Sequence, residues 1–124
     1  MNKNLNKTNI GVIGKGFVGS ALSSGFAHYC NSLKIFDKDR NRSSHSINEV
    51  LTSDIVFVCL PTPMSDDGSA DLSSIEELFK EAEKEKAKCT FVIKSTIPVG
   101  TTKKLSNTHK SLHIFHSPEF LTAN

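Results

Sequence analysis

The decapeptide GVIGKGFVGS, residues 11–20, sets Gly14, Gly16 and Gly19 in G-x-G-x-x-G spacing. Such a turn lets a backbone approach a pyrophosphate, but any tight strand-to-helix turn also favours glycine, so the flanks must decide. Upstream, TNIGVIG is a short β-branched run. Downstream, FVGSALSSGFAHYC places Phe17, Val18, Ala21, Leu22 and Phe26 near the helical period. Strand, glycines and helix therefore follow in the order a dinucleotide site requires, with the free N–H groups of the helix start offered to an anion. The site also requires an acidic residue about 20 positions further on, to hold the adenosine ribose. Asp37 stands 18 residues beyond Gly19, directly after SLKIF. A carboxylate there repels the 2′-phosphate of NADP and favours NAD, a preference tempered by Lys38, Arg40 and Arg42 nearby.

Further apolar runs lie along the chain. SLKIFD, DIVFVCL, TFVIK and LHIF are each too short for a helix, and continuous rather than alternating, as strands buried on both faces are. Between the third and fourth of the chain's five runs, DLSSIEELFKEAEKEKAK carries an apolar stripe of Ile75, Leu78, Phe79 and Ala82, with Ser73 and Glu76 spaced as a capping box and the charges facing water. A helix is also predicted from Pro98 or shortly after, in PVGTTKKLSNTHK, and INEVL is the one helical stretch in polar residues 38–54. Strands alternating with helices predict an α/β fold: a Rossmann-like, doubly wound, mainly parallel sheet of about five or six strands with helices on both faces.

The 124 residues suffice for one domain, assigned to 8–124, with 1–7 expected to be frayed. A net charge of +2 gives no reason to expect nucleic acid as a partner. Cys30, Cys59 and Cys89 are odd in number and far apart, which disfavours a disulfide framework or a zinc site and points to a reduced, cytoplasmic setting. Cys59 is placed inside a core strand, Cys89 before another, and Cys30 at the end of a helix. The polar start MNKNLNKTN lacks the apolar region of a signal peptide, and no run approaches the roughly 20 residues of a membrane span, so no membrane partner is expected. His109, His113 and His116 are close in sequence, but a strand would turn His113 and His116 to opposite faces and no further ligand completes a shell, so no metal is expected. SDDGSAD lacks the EF-hand pattern and reads as a turn leading to a helix cap.

Beyond the glycine turn, VFVCLPTPMSDDGSADLSSIE (56–76), VIKSTIPVGTT (92–102) and HSPEFLTAN (116–124) make the chain resemble the N-terminal domain of the UDP-glucose/GDP-mannose dehydrogenase family. The resemblance implies an enzyme that oxidises the C6 alcohol of a nucleotide-linked sugar to a carboxylate with two NAD molecules. It implies that Gly14, Gly16, Phe17, Val18 and Gly19 line the pyrophosphate, that Asp37 holds the ribose, and that Arg42 lies near the adenosine. Leu60, Pro61 and Thr62 would form the loop over the cofactor after the third strand, and Ser95 and Thr96 its counterpart after the fourth. Thr96 would stand near the reacting centre and orient a water, and Glu119 would position substrate and assist hydrolysis of the covalent intermediate. The LPTP and STIPVGTT stretches each follow an apolar run, where open α/β sheets bind ligands.

Three departures accompany the resemblance. Ala123 stands where the family has a further acidic residue, and the stretch from Asp37 to Ile55 is shorter than the family norm. The sequence also stops where the family continues into a long central helix and a second domain that bears the cysteine nucleophile, a lysine and an asparagine. The expectation is a cofactor-binding part that does not complete the reaction alone, its homodimer contact belonging to the missing helix. Two alternatives stand beside it: a non-catalytic dinucleotide-binding regulatory module, and a β-hydroxyacid dehydrogenase relative, against which KSTIPVGTT and SPEFL argue.

Overall fold

Each apolar run forms a strand. A computed structural model describes residues 7–14, 16–26 and 30–117, in the order β1 (Asn9–Ile13), α1 (Phe17–Phe26), β2 (Ser32–Phe36), α2 (Ile47–Val50), β3 (Ile55–Val58), α3 (Ser73–Lys84), β4 (Thr90–Ile93), α4 (Thr101–Thr108) and β5 (His113–His116). The strands make one five-stranded sheet in the order β2-β1-β3-β4-β5, every pair parallel. The chain leaves β1 in one direction for β2 and then crosses back to β3, β4 and β5. With right-handed crossovers that reversal puts α1 on one face and α2, α3 and α4 on the other. Gly11 lies beneath Val50 of α2, and Val12, pointing the opposite way, lies beneath Gly19 of α1. The expectation of helices on both faces holds.

The two faces are buried unequally. Towards α2, α3 and α4 the strands present Ile13, Val56, Val58, Phe91, Ile93 and Ile114, which join Val50, Ile75, Phe79 and Leu105 in one core. On the other face the register aligns Val12, Phe57, Val92 and Phe115 across four strands. Val12 is fully buried under α1, Phe57 and Val92 are half-buried, and Phe115 is 58% exposed.

Hydroxyl groups close the outer edge of β2. The segment after Asp37 folds back so that the Ile35 N–H donates to Ser44 Oγ at 2.9 Å and the Asp37 N–H to Ser43 Oγ at 2.6 Å. The Ser44 and His45 N–H groups in turn donate to the Ile35 carbonyl at 2.8 and 3.0 Å.

The start of α3 differs from the sequence reading. Ser73 is the first residue of α3 rather than its cap: its hydroxyl and N–H both donate to Asp71 Oδ1, at 2.6 and 2.9 Å, and hold that carboxyl below the usual aspartate range. A carboxylate two residues upstream outcompetes the serine as the local acceptor. The capping box occurs instead at α2, where the Ser46 hydroxyl accepts from the Glu49 N–H and the Glu49 carboxylate accepts from the Ser46 N–H. A four-residue helix has little else to stabilise its ends, so Ser46→Ala is expected to lower stability by about 1 kcal/mol in urea unfolding. The helix expected from Pro98 or shortly after begins at Thr101, immediately after Gly100 in a left-handed conformation.

Candidate functional site

The three glycines do different work. Gly14 ends β1 at φ +90°, with its N–H donating to the Phe36 carbonyl at 2.8 Å. A Cβ there would lie 2.7 Å from the Cys59 carbonyl oxygen, so the turn itself demands glycine. Gly19 lies within α1 against the Gly14 carbonyl, where a Cβ would overlap backbone, and it sits behind the cleft wall rather than on it. Gly16 is unlike both: a Cβ there meets no atom within 4 Å, and the residue borders a cleft of about 800 Å³. Only the middle glycine leaves space that the protein does not itself use. Phe17 and Val18 open α1, whose first turn has backbone N–H groups with no helical acceptor and no acidic residue.

The cleft lies at the carboxyl ends of β1, β3 and β4, where strand order reverses, which is where open α/β sheets bind ligands. Gly14, Gly16, Asp37, Arg42, Leu60, Pro61, Thr62, Ser95 and Thr96 all line it. Asp37 follows β2, and its Oδ1 accepts from the Asp39 N–H at 2.9 Å, which fixes the carboxylate at the cleft edge. The Arg42 guanidinium stands 3.7 Å from Asp39. The loops after β3 and β4 are tied together: the Ser95 hydroxyl donates to the Leu60 carbonyl at 2.6 Å, and that of Thr62 to the Thr96 carbonyl at 2.8 Å. His116 joins this frame from β5. Its Nε2 lies 3.1 Å from the Ser95 carbonyl, which only accepts, so that nitrogen carries the proton. Glu119 and Ala123 lie outside the described residues, as do 1–6 of the expected frayed start.

Of the cysteines, Cys59 departs from its expected place within a strand. Cys59 lies just past β3 and lines the cleft, its N–H donating to the Ile13 carbonyl at 2.8 Å. Cys30 stands in a bend before β2, beyond the described end of α1. Cys89 is buried before β4, and burial pushes its thiol up to about 11. Among the described residues no three His, Cys, Asp or Glu side chains group as metal ligands. His109 instead pairs with Glu83 at 2.9 Å, joining the end of α4 to α3. Sequence reading also missed the cleft's third wall. Ser74, Glu77, Leu78 and Glu81 line it from α3, at spacings of three and four residues that mark one helix face, so two carboxylates expected only to face water border the site.

The sequence profile of the UDP-glucose/GDP-mannose dehydrogenase family, NAD binding domain, matches residues 36–124. The chain belongs to that family. Among curated members, UDP-glucose 6-dehydrogenase of Streptococcus pneumoniae is 30% identical over 90% of this chain, and that of Pseudomonas aeruginosa 28% identical over 76%. The chain spans 36% and 28% of those two proteins' own lengths. A UDP-glucose dehydrogenase of Pyrobaculum islandicum has the same fold over 98% of this chain and 38% of its own, with a TM-score of 0.78 at 22% identity. As a UDP-glucose/GDP-mannose dehydrogenase NAD-binding domain, the chain has residues that fit the cofactor. Open space before Gly16 and the first-turn N–H groups of α1 suit a pyrophosphate, and the Asp37 carboxylate suits a ribose diol.

Proposed function

We propose that this chain is the cofactor-holding part of a nucleotide-sugar 6-dehydrogenase, which oxidises an alcohol to a carboxylate in two steps and takes UDP-glucose or GDP-mannose as substrate. Domain 8–124 holds NAD, which when bound supplies the hydride acceptor. Gly14, Gly16 and the start of α1 with Phe17 and Val18 receive the pyrophosphate, Gly19 behind them lets the helix approach the Gly14 carbonyl, Asp37 accepts from the ribose hydroxyls, and Arg42 lies along the adenosine. Leu60, Pro61, Thr62 and Ser95 position the remainder of the cofactor. Thr96 orients a water at the reacting centre and Glu119 positions substrate. Catalysis requires parts of the enzyme beyond these residues, so the chain is inactive alone. The enzyme works in the cytoplasm, and its homodimer forms through a central helix outside this sequence. Among the described residues no helix is long and apolar enough to cross a membrane, in keeping with that reading.

The observation that carries the proposal is the empty space before Gly16 at the strand-order reversal, bordered by Asp37. Calorimetric titration with NAD and NADP tests it. NAD is expected to bind more tightly than NADP, and Asp37→Ala to weaken NAD by about tenfold while narrowing the difference, because the charge-assisted ribose bonds and the repulsion of the 2′-phosphate are lost together. Equal affinity of the unsubstituted chain for both dinucleotides would remove Asp37 from the assignment.

A further inference from the structure

Two carboxylates on the cleft wall have no part in that reading. Glu77 and Glu81 share one face of α3 with Leu78, at the spacing that sets side chains one above another. Leu78 is buried, Glu81 half-buried, and Glu77 exposed at the rim. Also on the lining are Phe36, which ends β2, and Ile47, which begins α2, both half-buried against the core. Among the described residues neither carboxylate takes part in a hydrogen bond or an ion pair. The cleft thus has apolar walls fit for a flat heteroaromatic ring, and along α3, beyond the Ser74 hydroxyl at the helix start, two carboxylates that only accept.

Ionised carboxylates donate no hydrogen bond. A ring seated between Phe36, Ile47 and Leu78 therefore turns N–H donors towards Glu77 and Glu81, because a carbonyl there would set its lone pairs against negative charge. A base attached to a ribose at Asp37, the residue after Phe36, lies within reach of these walls. A carboxylate that meets a purine at its C6 substituent finds an amine on adenine but a carbonyl on hypoxanthine and guanine, whose edge donors are instead N1–H and, in guanine, the C2 amine. We infer that Glu81, supported by Glu77, accepts from the C6 amine of adenine and so determines which base the dinucleotide carries. Glu81 is the stronger acceptor because it is the less exposed, so water competes less for its oxygens. This inference rests on the reading that the cleft holds NAD.

The test titrates the full chain with NAD and with nicotinamide hypoxanthine dinucleotide, in which a carbonyl replaces the C6 amine. The double variant Glu77→Gln with Glu81→Gln is measured alongside, since glutamine keeps the size of the side chain and adds a donor. Circular dichroism confirms folding of both proteins. The unsubstituted chain is expected to bind NAD about tenfold more tightly than the hypoxanthine analogue, and the double variant to bring the two within about twofold. Equal binding of both dinucleotides by the unsubstituted chain would overturn base selection and leave the NAD site standing. Discrimination that survives undiminished in the double variant would overturn its assignment to Glu77 and Glu81. Binding of neither dinucleotide by the folded chain would overturn the NAD reading and this inference with it.

Discussion

Gly14→Ala is expected to destabilise the domain by about 3 kcal/mol, and Gly16→Ala to leave stability within about 0.5 kcal/mol of the unsubstituted chain while weakening NAD binding more than tenfold. The first substitution forces a side chain into a left-handed conformation and against the carbonyl of Cys59. That neighbour is backbone, fixed by its own N–H bond to Ile13, so it cannot rotate aside. The second adds a methyl group to open space at ordinary backbone angles, so its cost falls on whatever ligand fills that space. Urea unfolding without ligand measures the first effect, and calorimetric titration the second. A Gly16→Ala protein that binds NAD normally would show that the pyrophosphate lies elsewhere.

Phe79→Ala is expected to cost about 3–5 kcal/mol, a large share of the roughly 5–15 kcal/mol that holds a domain of this kind together. Phe79 is fully buried, meets Phe91 of β4 edge to face with ring centroids 5.0 Å apart, and lies 6.1 Å from the His109 ring. Truncation leaves a cavity between α3 and the sheet that neighbouring rings cannot fill without leaving their rotamers. Since α3 also carries the cleft stripe of Ser74, Glu77, Leu78 and Glu81, dinucleotide affinity should fall with stability. Phe79→Leu retains most of the volume and should lose less than half as much. A loss below about 1.5 kcal/mol in Phe79→Ala would mean that α3 is not anchored through this ring.

Strand positions were legible as short apolar runs, although the two-sided burial those runs implied is not met: β3 and β4 alternate between buried and half-buried residues, and β5 is exposed at His113 and Phe115. The helical stripe of Ile75, Leu78, Phe79 and Ala82 was equally plain, and all four side chains are buried. Helix starts were not, since several short polar residues compete for the same N–H groups. Asp71 displaced Ser73 as acceptor at α3, while the box at Ser46 and Glu49 sits in a stretch whose polarity hid it. The glycine spacing announced the turn, but it could not say which glycine faces the ligand. That depends on where the Cys59 carbonyl stands, 45 residues from Gly14 in sequence. Glu77 and Glu81 escaped notice for a related reason. A charged helix face reads as solvated until the topology brings α2 and the end of β2 alongside it.

The serine hydroxyls along β2 give the sheet a direction of growth. One border already has its Ile35 and Asp37 backbone groups occupied from within the same chain, by Ser43, Ser44 and His45. Among the described strands β5 is the border without a further neighbour, and the aligned row from Val12 to Phe115 becomes steadily more accessible towards it. An additional strand or covering helix, whether from this polypeptide or another, therefore finds an open edge and bare apolar surface together on the β5 side, whereas the β2 edge is already occupied at Ile35 and Asp37. The domain is partly closed at one margin and open at the opposite one.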